Sequence, residues 1–266
     1  MGNGYAFEAR TYDASPQNHP FLRTRKPVRS KIKNICGKII QIFFIFSARV
    51  FRRCTVGSRV VYSFEPYERM KKRWLIGIDE AGRGALAGPV AVGGVLVPWD
   101  FDFSVFSKVA DSKQLSPKMR ERIFGEVRHA VKNGKLSYHV ALISAKIIDT
   151  KGITYAVRQG VEKILKKFNV KPNLAEIRLD GSLYAPKEYL HQKTIIQGDV
   201  TEPVISLASI MAKVTRDKKM VLLSKKYPAY GFEIHKGYGT ERHREAIAKT
   251  GLSSMHRKSF CKRWHT

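Results

Sequence analysis

Three short apolar runs in this chain each end in an acid beside glycine, and that repetition constrains the fold more than any other feature of the sequence. They are WLIGIDEAGRG (74–84), AEIRLDG (175–181) and KTIIQGD (193–199). Apolar, branched residues punctuated by glycine read as buried strands. Each run therefore delivers a carboxylate at or just past the C-terminal end of a strand, the edge where open α/β sheets place their sites. Asp79 and Glu80 are neighbours, and on a regular strand neighbouring side chains point to opposite faces. Both serve one site only where the strand ends or bends, and Gly82 and Gly84 supply that bend.

Asp79, Glu80, Asp180 and Asp199, brought to one edge, would repel one another unless protons or bound cations offset their charge. Hard divalent ions held by carboxylate oxygens, Mg²⁺ or Mn²⁺, answer that need, and they activate water and stabilise a leaving oxygen in phosphodiester hydrolysis. The remaining ligand chemistry is thin. Cys36, Cys54 and Cys261 have no paired spacing and the 8 histidines are scattered, which argues against a thiolate zinc site or a disulfide framework and for a reducing compartment. A formal charge of +27 implies a polyanionic partner. A basic surface around an acidic metal centre makes a nuclease the leading reading. A non-catalytic nucleic-acid binder on the same fold would be marked by a missing carboxylate, and all four are present.

Residues 1–69 differ from the rest, with 13 basic and 4 acidic residues and a start rich in Pro and Asn. They are expected to form a poorly ordered basic extension, with the catalytic domain occupying 70–266. The apolar stretch IIQIFFIFSA (39–48) falls short of the about 20 residues a membrane-spanning helix needs. From residue 73 strands and helices alternate. VAVGGVLVP (90–98) and LSYHVALISA (136–145) read as strands, SPKMRERIFGEVRHAVK (116–132) as a helix capped by Ser-Pro, and 146–168 as one helical stretch. A long helix over 202–227, apolar on one side and basic on the other, opens a helical C-terminal region from about 202. The sum is an α/β fold with a central mixed sheet flanked by helices. Asp111, in ADSKQLSPK, reads as turn and capping chemistry, with Lys113 in reach of phosphate.

These stretches, in order, resemble the type 2 ribonuclease H family, ribonuclease HII: GIDEAGRGALAGPV (77–90), DSKQLS (111–116), LDGS (179–182), GDVTEPVISLASIMAKVTRDKKM (198–220), YPAYGFEIHKGYGT (227–240) and HRKSF (256–260). The resemblance implies a ribonuclease H-like fold and an endonuclease that cuts the RNA strand of RNA·DNA hybrids. It also implies cutting 5′ to ribonucleotides embedded in duplex DNA, leaving a 3′-hydroxyl and a 5′-phosphate. On this resemblance Asp79, Glu80 and Asp180 fall on the metal-binding acids and Asp199 on the fourth active-site carboxylate. Gly82, Arg83 and Gly84 look like the segment that reads the ribose 2′-hydroxyl at the junction, and Tyr238 looks like the tyrosine that packs on the neighbouring deoxyribose. Val200 departs from the serine common after Gly-Asp, Ala85 and Gly239 from prolines common at their positions; none removes a carboxylate. A cytoplasmic monomer without a stable membrane span is expected.

Overall fold

The computed structural model describes residues 73–106 and 115–263, together with the backbone of 49–56 and 59–66. Strands β1 (Arg49–Val56) and β2 (Arg59–Pro66) pair with each other in a two-stranded sheet. The remainder of the expected extension, and Asp111 with Lys113, lie outside the described residues.

A second compact unit begins at Glu65 and is built on a five-stranded mixed sheet. Its strands are β3 (Trp74–Ala81), β4 (Val90–Pro98), β5 (Ser137–Ile143), β6 (Ala175–Asp180) and β7 (Gln192–Ile195), ordered β5-β4-β3-β6-β7. β4 runs antiparallel to β3 and β5, whereas β3, β6 and β7 are parallel. In that register Ile78 pairs with Leu179, and Asp180 with Ile195. The C-terminal ends of the three parallel strands therefore meet at one edge, and the acids arrive there together.

Helices cover both faces. α1 (Pro117–Lys132) starts at Ser116, whose hydroxyl accepts the Met119 N–H at 3.2 Å, with Pro117 at the first helical position. The expected single helix over 146–168 is two, α2 (Ala145–Lys151) and α3 (Ile153–Phe168), because Gly152 takes φ 86° between them. α4 (Gly198–Thr201) is one turn, and α5 (Pro203–Lys226) is the long helix expected from the sequence. α6 (Phe232–His235) and α7 (Glu241–Thr250) complete the helical C-terminal region.

Side chains of β3 alternate strictly between the two layers. Ile76 and Ile78 join α3 residues Val157, Val161 and Ile164 in one core, while Leu75 joins Val204, Leu207 and Ala208 of α5 in the other. Gly77 and Gly93 share the α5 side, and the helix backbone fills the space their missing side chains leave. A Cβ at Gly77 would lie 2.3 Å from the Val204 carbonyl oxygen, and one at Gly93 2.4 Å from that of Ala208. This notch seats α5 directly on the central strands, two residues before Asp79 reaches the edge on the same face. Gly93→Ala is expected to lift the helix and to cost about 1–3 kcal/mol, the usual range for overpacking. Urea unfolding measures it, and an unchanged midpoint would contradict the close approach.

Candidate active site

Asp79 is 5% exposed and Asp199 1%, whereas Glu80 and Asp180 are partly open to a cleft of about 420 Å³ that all four line. Asp79 continues the α5 face of β3 and Glu80 the opposite one; both reach the cleft because the strand ends at Ala81. Asp79 Oδ1 accepts the Glu80 N–H at 2.7 Å, and Asp180 Oδ1 accepts the Asp199 N–H at 3.3 Å. Ser209, on the α5 surface seated by the glycine notch, hydrogen-bonds the Asp79 side chain. Burial is the main force on Asp79, followed by the charges of Glu80 and Asp180. Together they push its carboxyl up to about 8 despite the hydrogen bonds from Ser209 and Glu80.

Asp199 stands differently from the sequence expectation of a strand end. β7 stops at Ile195, Gln197 turns left-handed at φ 55°, and Asp199 falls in the first turn of α4. The acid is thus delivered by a helical turn, and its own N–H closes onto Asp180. Glu80 inclines toward Arg83, whose Nη1 donates to Oε1 at 3.1 Å. Among the described residues no three acidic, histidine or cysteine side chains are gathered into a ready-made metal cage. The donor set still suits a hard cation: carboxylate oxygens on one cleft, with burial and the neighbouring acids keeping a proton on Asp79 near neutral pH that a bound cation would displace.

The loop from Gly82 to Pro89 is held from behind by two buried arginines that sequence reasoning assigned no such role. Arg257 donates from Nη2 to the Gly82 carbonyl and from Nη1 to that of Arg83, both at 2.8 Å, and from Nε to Gly88 at 3.1 Å. Arg216 of α5 donates from Nε to the Pro89 carbonyl at 2.9 Å and from Nη2 to Ala87 at 3.2 Å. Neither makes a salt bridge among the described residues, and both guanidiniums are fully buried. Burial, then the charge of Arg216, brings Arg257 down to about 10, so it stays charged at neutral pH. Gly82 has φ 85°, and a Cβ there would lie 1.9 Å from Arg216 Nε. Only glycine meets both conditions.

Tyr238 lines the cleft opposite, with the Arg216 guanidinium 5.3 Å and the Lys213 amine 5.5 Å from its ring centre. Its backbone is fixed by a chain of buried imidazoles. Ser253 N–H donates to His256 Nδ1 at 3.0 Å, His256 Nε2 meets His243 Nε2 at 3.1 Å, and His243 Nδ1 meets the Tyr238 carbonyl at 2.9 Å. Only one assignment of protons satisfies every link: His256 donates through Nε2 and His243 through Nδ1, both rings neutral. Burial agrees, lowering both to about 4. Arg120 also borders the cleft. Of these supporting groups, Arg257 and His256 stood in the HRKSF stretch and Arg216 and Lys213 in the basic helix, but nothing local distinguished them from solvated charges.

A mixed sheet in the order β5-β4-β3-β6-β7, with three acids at the ends of two of its parallel strands, a fourth on the helical turn after the third, and a cleft around them bordered by basic side chains, defines a nuclease of the ribonuclease H fold. Comparison with known proteins gives the family. The model of ribonuclease HII matches residues 76–263. A ribonuclease HII of Endomicrobium trichonymphae is 43% identical over 184 residues, 69% of this chain and 83% of the relative. The ribonuclease HII of Archaeoglobus fulgidus, solved in complex with PCNA, superposes with a TM-score of 0.56 at 26% identity, over 69% of this chain and 93% of that one. A ribonuclease HIII, Bst-RNase HIII in complex with Mn²⁺, shares the fold at a TM-score of 0.53 and 18% identity, over 73% and 71% of the two chains. The chain belongs to the ribonuclease HII family. Its activity is that family's: metal-dependent endonucleolytic hydrolysis of RNA in RNA·DNA hybrids.

Asp79 takes up a proton on folding, because its folded value of about 8 lies above its ordinary 3.8. Between those values the folded state binds more protons than the unfolded, so the stability of the metal-free protein falls as pH rises toward 8 and the full penalty stands above it. Asp79→Asn removes the buried charge. The metal-free variant is expected to melt higher than the parent, by a margin larger at pH 9 than at pH 6. Thermal unfolding in chelator tests this, and a margin independent of pH would contradict the assignment.

Proposed function

We propose that the four carboxylates form the catalytic centre of an enzyme that cuts the phosphodiester 5′ to a ribonucleotide, in RNA·DNA hybrids and at single ribonucleotides in duplex DNA, leaving a 3′-hydroxyl and a 5′-phosphate. The observation that carries this reading is the shared cleft: the acids and the Gly82-Arg83-Gly84 loop open onto the same space. Asp79, Glu80 and Asp180 hold the metal and Asp199 is the fourth active-site acid. Mg²⁺ and Mn²⁺ both suit these oxygen donors, and manganese is the ion named with Bst-RNase HIII. When bound, such an ion polarises the phosphate and lowers the pKa of water.

The chain's own groups do the rest. Asp79 would hold the cation as a carboxylate, its proton released to solvent, and Ser209 and the Glu80 N–H keep that carboxylate oriented. Asp180 and Asp199 remain linked through the Asp199 N–H, so the two acids act as one unit. Because Arg257 engages the carbonyls of Gly82 and Arg83 from inside the protein, the loop's other edge is left to approach a ribose 2′-hydroxyl, the group that marks RNA. Arg83, which pairs with Glu80 here, would meet a backbone phosphate were Glu80 to serve as a metal ligand. Tyr238, steadied by its carbonyl bond to His243, packs on the sugar beyond the junction. Lys213 and Arg120 follow the backbone.

Residues 70–266 constitute the catalytic unit in this reading, with 1–69 as an extension to it. Among the described residues no helix is long and apolar enough to cross a membrane. A monomer working in the cytoplasm is the state we assign.

A duplex carrying one ribonucleotide, incubated with Mg²⁺ or Mn²⁺ beside all-DNA and all-RNA duplexes, tests the proposal. Cleavage is expected at the 5′ side of the ribonucleotide alone. Asp180→Asn should lower kcat by about 10²-fold or more, on the scale of losing one transition-state electrostatic contact, while retaining duplex binding. Absence of a 5′ cut by the parent protein would defeat the reading.

A further inference from the structure

A second groove, of about 480 Å³, begins where the acidic cleft ends. Arg83 borders both, and its Nη1 lies 3.5 Å from Ser182 Oγ on the new groove's near wall. The floor is apolar, made by Val157 and Val161 of α3 and by Leu183. Arg158 and Lys187 stand on the rim, both exposed, Arg158 in contact with Glu162 at 3.3 Å. Between floor and rim sits Tyr184, a ring left 69% exposed.

That exposure is built in. The loop carrying Tyr184 is fastened on either side by strand β7. Gln192 Oε1 accepts the Ala185 N–H at 2.8 Å while its Nε2 donates to the Tyr189 carbonyl at 3.0 Å, and Thr194 Oγ1 donates to the Leu183 carbonyl at 2.8 Å. Two side chains therefore immobilise the backbone immediately before and after an aromatic residue that packs little of its surface into the protein. A rigid, solvent-facing ring above an apolar floor, flanked by cations, has the parts of a single-strand platform, in which bases stack on aromatic faces and phosphates meet Lys and Arg.

We propose that this groove holds one unpaired nucleotide of the strand being cut, next to the cleavage position. Its base lies against Tyr184 and its phosphate meets Arg158 and Lys187. The strand identity rests on continuity: Arg83 lines both the acidic cleft and this groove, so a strand held at the acids would have this groove as its neighbouring space. The unpaired state follows from stacking: a base inside a duplex has both faces covered by its neighbours and cannot lie on a side chain. The enzyme accordingly favours ribonucleotides beside a mismatch or frayed position over those in perfect duplex. This inference rests on the nuclease reading for its choice of ligand.

Equilibrium binding in chelator, where no cleavage intervenes, separates the two. Fluorescent duplexes with one ribonucleotide are compared in three forms: fully paired, and with a single mismatched nucleotide on its 5′ or its 3′ side. One mismatched form should bind about fivefold or more tighter than the paired one, as expected for one base–aromatic stack. In Tyr184→Ala that ratio falls toward one, and in Tyr184→Phe it is kept. Equal binding of all three duplexes by the parent protein, or a Tyr184→Ala loss uniform across them, overturns the groove assignment. Failure of the parent to cut the paired duplex with metal would instead strike the nuclease reading, leaving the binding comparison to stand.

Discussion

Everything at the candidate site depends on two guanidiniums that never reach solvent. Arg216 and Arg257 donate to five carbonyls of the segment from Gly82 to Pro89. A loop of small residues has few apolar atoms with which to hold a shape, so its conformation must come from polar contacts. Here carbonyl dipoles stand in for the carboxylate partner a buried arginine usually finds: Arg257 meets three of them with its planar fork, whereas Arg216 meets two and leaves Nη1 without a hydrogen-bond partner among the described residues. The arrangement is one-sided: each carbonyl left without its donor would incur about 1–3 kcal/mol of unsatisfied burial, and Arg257 alone serves three. The loop is therefore held in one rigid shape by five hydrogen bonds from behind.

That rigidity matters because the opposite wall is electrostatically unsettled. Burial and the neighbouring acids keep Asp79 protonated to about pH 8, and Glu80 leans toward Arg83. A centre made of mutually repelling acids holds together only because the scaffold leaves them nowhere to go. Gly77 and Gly93 admit the α5 backbone against the sheet, which brings Ser209 to Asp79, and the turn at Gln197 closes the Asp199 N–H on Asp180. Positive charge arriving with a cation relieves the repulsion that folding imposed. A protein of formal charge +27 can carry such a centre while its exterior draws a polyanion toward it.

The strands were legible because their patterns are strong: VAVGGVLVP and AEIRLD occupy β4 and β6 from first residue to last. The glycine that splits 146–168 was visible in the sequence, but a single glycine inside a helical pattern is tolerated often enough that only its φ of 86° decides the matter. Asp199, expected at or just past the end of the third strand, lines the same cleft as the other acids but is carried by a helical turn four residues beyond β7, since Gln197 in a left-handed conformation has no side-chain signature. The arginine clamp was not legible at all. Arg216 lies in a helix full of cations and Arg257 in a short basic stretch, and what sets them apart is their distance in space, not sequence, from the loop they hold. The imidazole chain behind Tyr238 was hidden likewise, its members His243 and His256 lying in separate segments.

The central proposal is that the Arg257 fork sets the shape of the loop assigned to reading the 2′-hydroxyl, and through it any preference for a ribonucleotide junction over uniform hybrid. Arg257→Lys keeps the charge and loses the fork. The decisive measurement is the ratio of kcat/KM at a single ribonucleotide in DNA to kcat/KM on a long RNA·DNA hybrid, for the parent and this variant, in protein shown to be folded. The account predicts that the ratio drops by about tenfold, the scale of a lost hydrogen bond to a charged group, while calorimetric metal affinity is retained. An unchanged ratio in the folded variant would contradict it.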